Sequence, residues 1–121
     1  MLLAGRGTVL RRMLRQGGLP KPVVEHYVER MREPGALTAA LTWYRALPLG
    51  PGRQVGTVTV PTLHVWGADD AFLGRAGTEA TRQFVSGPYR LEVLDAINHW
   101  LPELAGDHVA ALVTAHVRTG R

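Results

Sequence analysis

The stretch 57–67, TVTVPTLHVWG, constrains the fold more than any other part of the chain. It is β-branched, almost continuously apolar, and followed within three residues by two adjacent carboxylates, Asp69 and Asp70. Such a run suits a strand covered on both faces, as in a parallel sheet. A helix-like stretch over about 75–85 follows, then a second strand-like run, YRLEVLD, and then a helix opened by Pro102 with Glu103 in its first turn. The expected strands lie near 60–66 and 89–94. Right-handed crossovers make two such strands parallel, so their C-terminal ends emerge on one edge of the sheet. That edge carries Asp69 and Asp70 after the first strand and Asn98 and His99 after the second. Ligands of open α/β sheets bind at this edge, and a carboxylate facing an imidazole there fixes its tautomer and stabilises its protonated form. A carboxylate in a Gly-Ala-Asp-Asp loop is ordinarily a turn former; a histidine on the same edge is what makes it a candidate site.

The N-terminal part has a helical rather than a strand period. Helices are expected near 8–16, 22–32 and 36–47. In the first, Val9, Leu10, Met13 and Leu14 form an apolar stripe opposite Arg11, Arg12 and Arg15. The second clusters Val23, Val24, Tyr27, Val28 and Met31 and ends near Pro34 and Gly35. The third has two stripes, Leu37, Leu41 and Tyr44 beside Ala36, Ala40, Trp43 and Leu47, and is therefore expected to be buried on most of its circumference. Two prolines and three glycines within PLGPGRQVG mark a hinge. The chain thus reads as three parts: a helical segment over 1–50, a hinge over 51–59, and an α/β segment over 60–121.

The formal charge of +4 is unevenly spread. Of the 14 basic residues, five lie in residues 1–21 with no acid among them, which leaves nine against ten acids over the other hundred. The excess belongs to one amphipathic helix, read as a solvated helix of a larger domain in preference to a membrane-surface or phosphate-binding face. No nucleic-acid or membrane partner is expected. With no cysteine and no apolar run of about 18 residues, the chain carries no disulfide and no membrane-spanning helix, and a cytoplasmic location is expected. His108 and His116 stand about 12 Å apart along one helix, and His26 and His64 have no partner spacing, so no metal and no cofactor is expected.

VPTLHVWGADDAFLG followed by YRLEVLDAINHWLPE resembles the C-terminal part of α/β-hydrolase-fold enzymes, in the epoxide hydrolase and haloalkane dehalogenase branch. MREPGALTAALTWYRALP and LLAGRGTVLRRMLRQGGLP are similar to the helical cap of epoxide hydrolases. The resemblance implies an α/β fold in which two parallel strands with flanking helices, the C-terminal part of the α/β-hydrolase core, follow a cap remnant. It implies that Asp70 matches the acid of the catalytic triad, with Asp69 as the alternative, that His99 matches the base, and that Tyr44 matches a cap tyrosine that hydrogen-bonds the epoxide oxygen. The family commonly has glycine before the histidine; Asn98 stands here, a residue that tolerates positive φ.

The family's nucleophile, in a His-Asp-Trp-Gly or Gly-x-Ser-x-Gly elbow, has no counterpart in this sequence: the one serine is Ser86 and no aspartate precedes Asp69. The expectation is therefore a truncated C-terminal portion, inactive in isolation. It would act on a small-molecule substrate (epoxide, ester or haloalkane) only when completed by a nucleophile-bearing half. Its alternatives are a serine esterase, lactonase or haloalkane dehalogenase of the same fold, and a catalytically inactive truncated product or interaction module. A strand left without a neighbour further suggests a homo-oligomer through the exposed sheet edge.

Overall fold

A computed structural model of the chain describes residues 4–46 and 56–120, in two compact units, Met1–Gln54 and Val55–Arg121. Most of the expected hinge, and Leu47 of the expected third helix, lie outside the described residues.

The N-terminal unit holds α1 (Ala4–Gln16), α2 (Lys21–Met31) and α3 (Ala36–Ala46). Pro20 caps α2 and Pro22 stands in its first turn, where a missing N–H costs nothing. Val24 and Val28, four residues apart on one face, are fully buried, and Leu19 is buried too. The Arg11 guanidinium of α1 spans both carboxylate oxygens of Glu25 on α2, with Nε at 2.9 Å from each. Gly35, at φ +83°, makes the turn into α3 in a region that L side chains rarely adopt. The expectation for α3 is corrected: none of its residues is buried, and Trp43 and Tyr44 are 72% and 68% exposed. Two apolar stripes need neighbours on two sides, and among the described residues of this unit α3 leans chiefly on α2.

The C-terminal unit contains β1 (Thr62–Gly67), α4 (Arg75–Ala80), a 3-10 turn (Thr81–Phe84), β2 (Tyr89–Leu94), α5 (Leu101–Leu104) and α6 (Gly106–Thr119). The two strands form a parallel sheet in register from Thr62 against Tyr89 to Gly67 against Leu94. A further parallel bridge joins Val58 to Val85. Two parallel strands with flanking helices in this order match the architecture that the resemblance implies for this segment. Three details differ from the sequence reading. The helix over 75–85 tightens into 3-10 geometry after Ala80, and the one opened by Pro102 breaks at Ala105 before α6 resumes. The first strand is not covered on both faces either: only Trp66 and Gly67 are buried, and Val60 before it is 62% exposed. Among the described residues no helix is long and apolar enough to cross a membrane.

Candidate active site

The loops that leave β1 and β2 are joined through the backbone before any side chain takes part. The Ala68 N–H donates to the Leu94 carbonyl at 3.0 Å, continuing the strand ladder by one residue, and the Asp69 N–H donates to the Ile97 carbonyl at 3.0 Å. The Asp70 N–H turns back onto the Gly67 carbonyl at 3.1 Å. Gly67 is required at this crossing: a Cβ there would lie 2.3 Å from the Ile97 oxygen and 2.7 Å from the Asn98 oxygen, closer than any side chain can stand.

This junction orients Asp70. Its Oδ1 accepts the backbone N–H groups of Phe72 at 2.8 Å and Leu73 at 2.9 Å, an aspartate turn closed by its own side chain. Its Oδ2 accepts the Nδ1–H of His99 at 2.9 Å. The Asp70 side chain is only 2% exposed, against 38% for His99. Burial pushes the Asp70 carboxyl up, but the bond from His99 and those from the Leu73 and Phe72 amides outweigh it and hold the group below the usual carboxylate value. An ionised carboxylate can only accept, so in the neutral imidazole Nδ1 carries the proton and Nε2 presents the lone pair.

The surrounding residues fix this arrangement. Leu73 is tied at both ends, its N–H to Asp70 and its carbonyl to the Trp66 indole N–H at 2.8 Å, while the Arg75 guanidinium lies 5.2 Å above the Trp66 ring. On the histidine loop the Asn98 Oδ1 accepts the Trp100 N–H at 3.1 Å. Asn98, which tolerates a positive φ, does not take one; Ala96 does, at 58°, and Asn98 serves as a side-chain turn former. The His99 ring meets Phe72 edge-on, with centroids 4.9 Å apart, and Trp100 at 5.6 Å.

Of the four candidate site residues, the structure brings together Asp70 and His99. Asp69 is exposed, and His99 bonds its neighbour instead. Tyr44 stands on α3 of the other unit, exposed. The structure gives two further residues partners that the sequence does not show. Phe72 is 69% exposed yet contributes its amide to Asp70 and its ring to His99; its place two residues after an aspartate is the signal that finds it. His64 bonds the Tyr89 hydroxyl through Nδ1 at 3.0 Å, a diagonal cross-strand contact that becomes visible only with the register known. Among the described residues no three histidine, aspartate or glutamate side chains converge as a metal site.

Comparison with known proteins points one way. The chain is 39% identical over 85 residues to epoxide hydrolase 3 of Xenopus tropicalis, a match covering 70% of this chain and 23% of the relative. Epoxide hydrolase A of Mycobacterium tuberculosis matches over 122 positions at 30% identity, covering 93% of this chain and 38% of that protein. An AB hydrolase superfamily protein of Bacillus subtilis is 38% identical over 79 residues, 64% of this chain and 27% of its own. The chain therefore spans between about a quarter and two-fifths of the length of these relatives. No family model matches it.

Proposed function

Because the chain belongs to the α/β hydrolases, in their epoxide-hydrolase-like branch, we propose that it supplies the acid–base half of an epoxide-hydrolysing site. Asp70 and His99 are the acid and the base in this reading. The observation that carries it is the set of three hydrogen bonds that Asp70 accepts, which hold it ionised with one of its oxygens on His99 Nδ1. The other ring nitrogen is then a base, and the proton it takes leaves an imidazolium beside a negative charge.

In the proposed reaction a carboxylate nucleophile opens the epoxide, the Tyr44 phenol hydrogen-bonds the developing alkoxide and passes its proton to it, and a hydroxyalkyl ester and a phenolate result. His99 Nε2 then removes a proton from water as its oxygen adds to the ester carbonyl. The tetrahedral adduct expels the diol oxygen, which collects the proton from the imidazolium, and the carboxylic acid left on the nucleophile returns its proton to the Tyr44 phenolate, restoring both groups. The sequence holds no nucleophile motif, so the chain by itself is expected to leave styrene oxide and p-nitrophenyl acetate unchanged.

The test is a chimera in which this chain replaces the matching segment of the Mycobacterium tuberculosis epoxide hydrolase A. The chimera should hydrolyse styrene oxide, and His99→Gln should abolish that activity while leaving the circular dichroism intact. A folded His99→Gln chimera with unchanged turnover would overturn the assignment.

A further inference from the structure

The loop that carries Asp70 is fastened at its near end through the backbone: the Ala68 N–H on the Leu94 carbonyl, the Asp69 N–H on the Ile97 carbonyl and the Asp70 N–H on the Gly67 carbonyl. The turn that Asp70 closes on the Phe72 and Leu73 amides is local, and would travel with the aspartate if the loop shifted. The far end is fastened by a side chain. Trp66, the last residue but one of β1, donates its indole N–H to the Leu73 carbonyl at 2.8 Å, so the span 66–73 closes on itself around the acid.

The indole is itself held. Trp66 is 4% exposed, its main chain pairs with Val93 of β2, and the Arg75 guanidinium lies 5.2 Å above its ring while reaching the Glu79 carboxylate at 3.4 Å. An indole N–H donates and cannot accept, so its contact with Leu73 has one polarity and one direction. Leu73 in turn gives its own N–H to Asp70 Oδ1, while Oδ2 of the same carboxylate takes the Nδ1–H of His99. The two oxygens are rigidly joined, so a displacement of Leu73 turns the carboxylate and is felt in the 2.9 Å bond to His99. Another large apolar side chain at position 66 would fill most of the same room, but it would have nothing with which to hold the carbonyl.

We propose that Trp66 is a positioning residue for the acid, its indole N–H setting, through Leu73, the angle at which the Asp70 carboxylate meets His99. The assignment rests on the reading of Asp70 and His99 as acid and base. Its effect belongs to the chemical step and not to substrate binding. A carboxylate turned out of line grips the imidazole less firmly, and the tautomer protonated on Nε2 becomes populated; that tautomer has no lone pair on Nε2 with which to take a proton from water.

Two substitutions test this. Trp66→Phe removes the N–H together with part of the ring, and benzothienylalanine introduced at position 66 puts sulfur in place of the N–H while keeping the bicyclic shape. In the chimera, either should lower kcat for styrene oxide about tenfold, the worth of one lost hydrogen bond, and leave KM within about twofold of its starting value. In the chain itself, nitrogen-15 NMR should show His99 as a mixture of tautomers in both variants, against one tautomer in the native chain. Val85→Ala, which opens space at a buried position bridged to Val58, should lower stability and change neither readout. A folded benzothienylalanine variant with native kcat and a single His99 tautomer would overturn the proposal. So would an equal admixture in Val85→Ala, the mark of a general loosening of the unit. A chimera inactive even with Trp66 intact would count against the acid–base reading alone, and the His99 tautomers of the chain itself would still decide for or against Trp66.

Discussion

Two histidines of the C-terminal unit present the same nitrogen to an oxygen at nearly the same distance: His99 Nδ1 to Asp70 at 2.9 Å, at the carboxyl edge of the sheet, and His64 Nδ1 to the Tyr89 hydroxyl at 3.0 Å, within it. Distance alone does not separate them. A carboxylate only accepts, so it dictates the tautomer of His99 and rewards its protonation; a phenol donates or accepts with equal ease, so it dictates nothing to His64. The carboxylate is in turn held by two backbone amides on a loop tied to the neighbouring strand, whereas the phenol sits on a side chain that can turn. A base needs a partner whose chemistry is one-sided and whose position comes from the main chain.

The severest way to break this contrast is Asp70→Asn in the chimera. The amide keeps the shape and can still accept from Phe72 and Leu73, but it turns an N–H toward His99 and drives the imidazole to the wrong tautomer. Turnover should fall by about 10⁴-fold, as it does when the acid of a triad becomes its amide. Tyr89→Phe in the same chimera should leave turnover unchanged. Equal losses in the two variants would show that the distinction between the partners is empty.

Next in size is the backbone crossing that gives Asp70 its place. Gly67→Ala forces a Cβ against the Ile97 and Asn98 carbonyl oxygens, main-chain atoms that cannot swing aside, and should cost about 3 kcal/mol in urea unfolding at fixed protein concentration. Gly106→Ala, where the added Cβ meets nothing within 4 Å, should be neutral or stabilising by up to about 1 kcal/mol. Similar losses in both would mean that the crossing is not what holds the acid loop.

How far the site was legible follows from these particulars. The β-branched run into Asp69 and Asp70 and the second run into Asn98 and His99 announce parallel strands with an acid and a base at one edge, because a nearly continuous apolar run, a helix between the strands and right-handed crossovers leave little choice. Which aspartate bonds the histidine was open in the sequence; it is decided by the turn that Asp70 closes on Phe72 and Leu73, a matter of local dihedral angles. The positive φ at Ala96 in place of Asn98, and the His64–Tyr89 contact, depend on register and on how a loop crosses a strand, which no periodicity encodes. For α3 the apolar stripes were read correctly as apolar and wrongly as buried, because a hydrophobic pattern says what a face prefers and not what covers it.

The acid limb of stability separates the two histidine sites more gently. The Asp70 carboxyl lies below its usual value in the folded chain, so its contribution is present in full above the unfolded value of about 3.9 and is lost as pH falls through the lower folded value. Stability attributable to this one proton should fall by at most about 1.4 kcal/mol per pH unit across that window. Measured by urea unfolding from pH 6 to pH 2, the gap between the native chain and Asp70→Asn should narrow as the pH is lowered, and Tyr89→Phe should run parallel to the native chain throughout. A gap that stays constant or widens toward acid would mean that the ionised carboxylate is not stabilised by its three donors.

The smallest effect is expected at the second histidine itself. Tyr89→Phe keeps the ring that lies 5.7 Å beneath the Arg82 guanidinium and removes only the hydroxyl on His64, so unfolding should show a loss of about 1 kcal/mol, the net worth of one neutral hydrogen bond. The informative readout is nitrogen-15 NMR of the imidazoles. The native chain should show His99 as one tautomer with the proton on Nδ1 and His64 as a mixture, because its hydroxyl partner accommodates either form. Tyr89→Phe should shift the His64 mixture and leave His99 untouched, whereas Asp70→Asn should do the reverse. If His64 proves as strongly biased as His99 in the native chain, a phenol can fix a tautomer as firmly as a buried carboxylate, and the reason given for choosing His99 as the base loses its force.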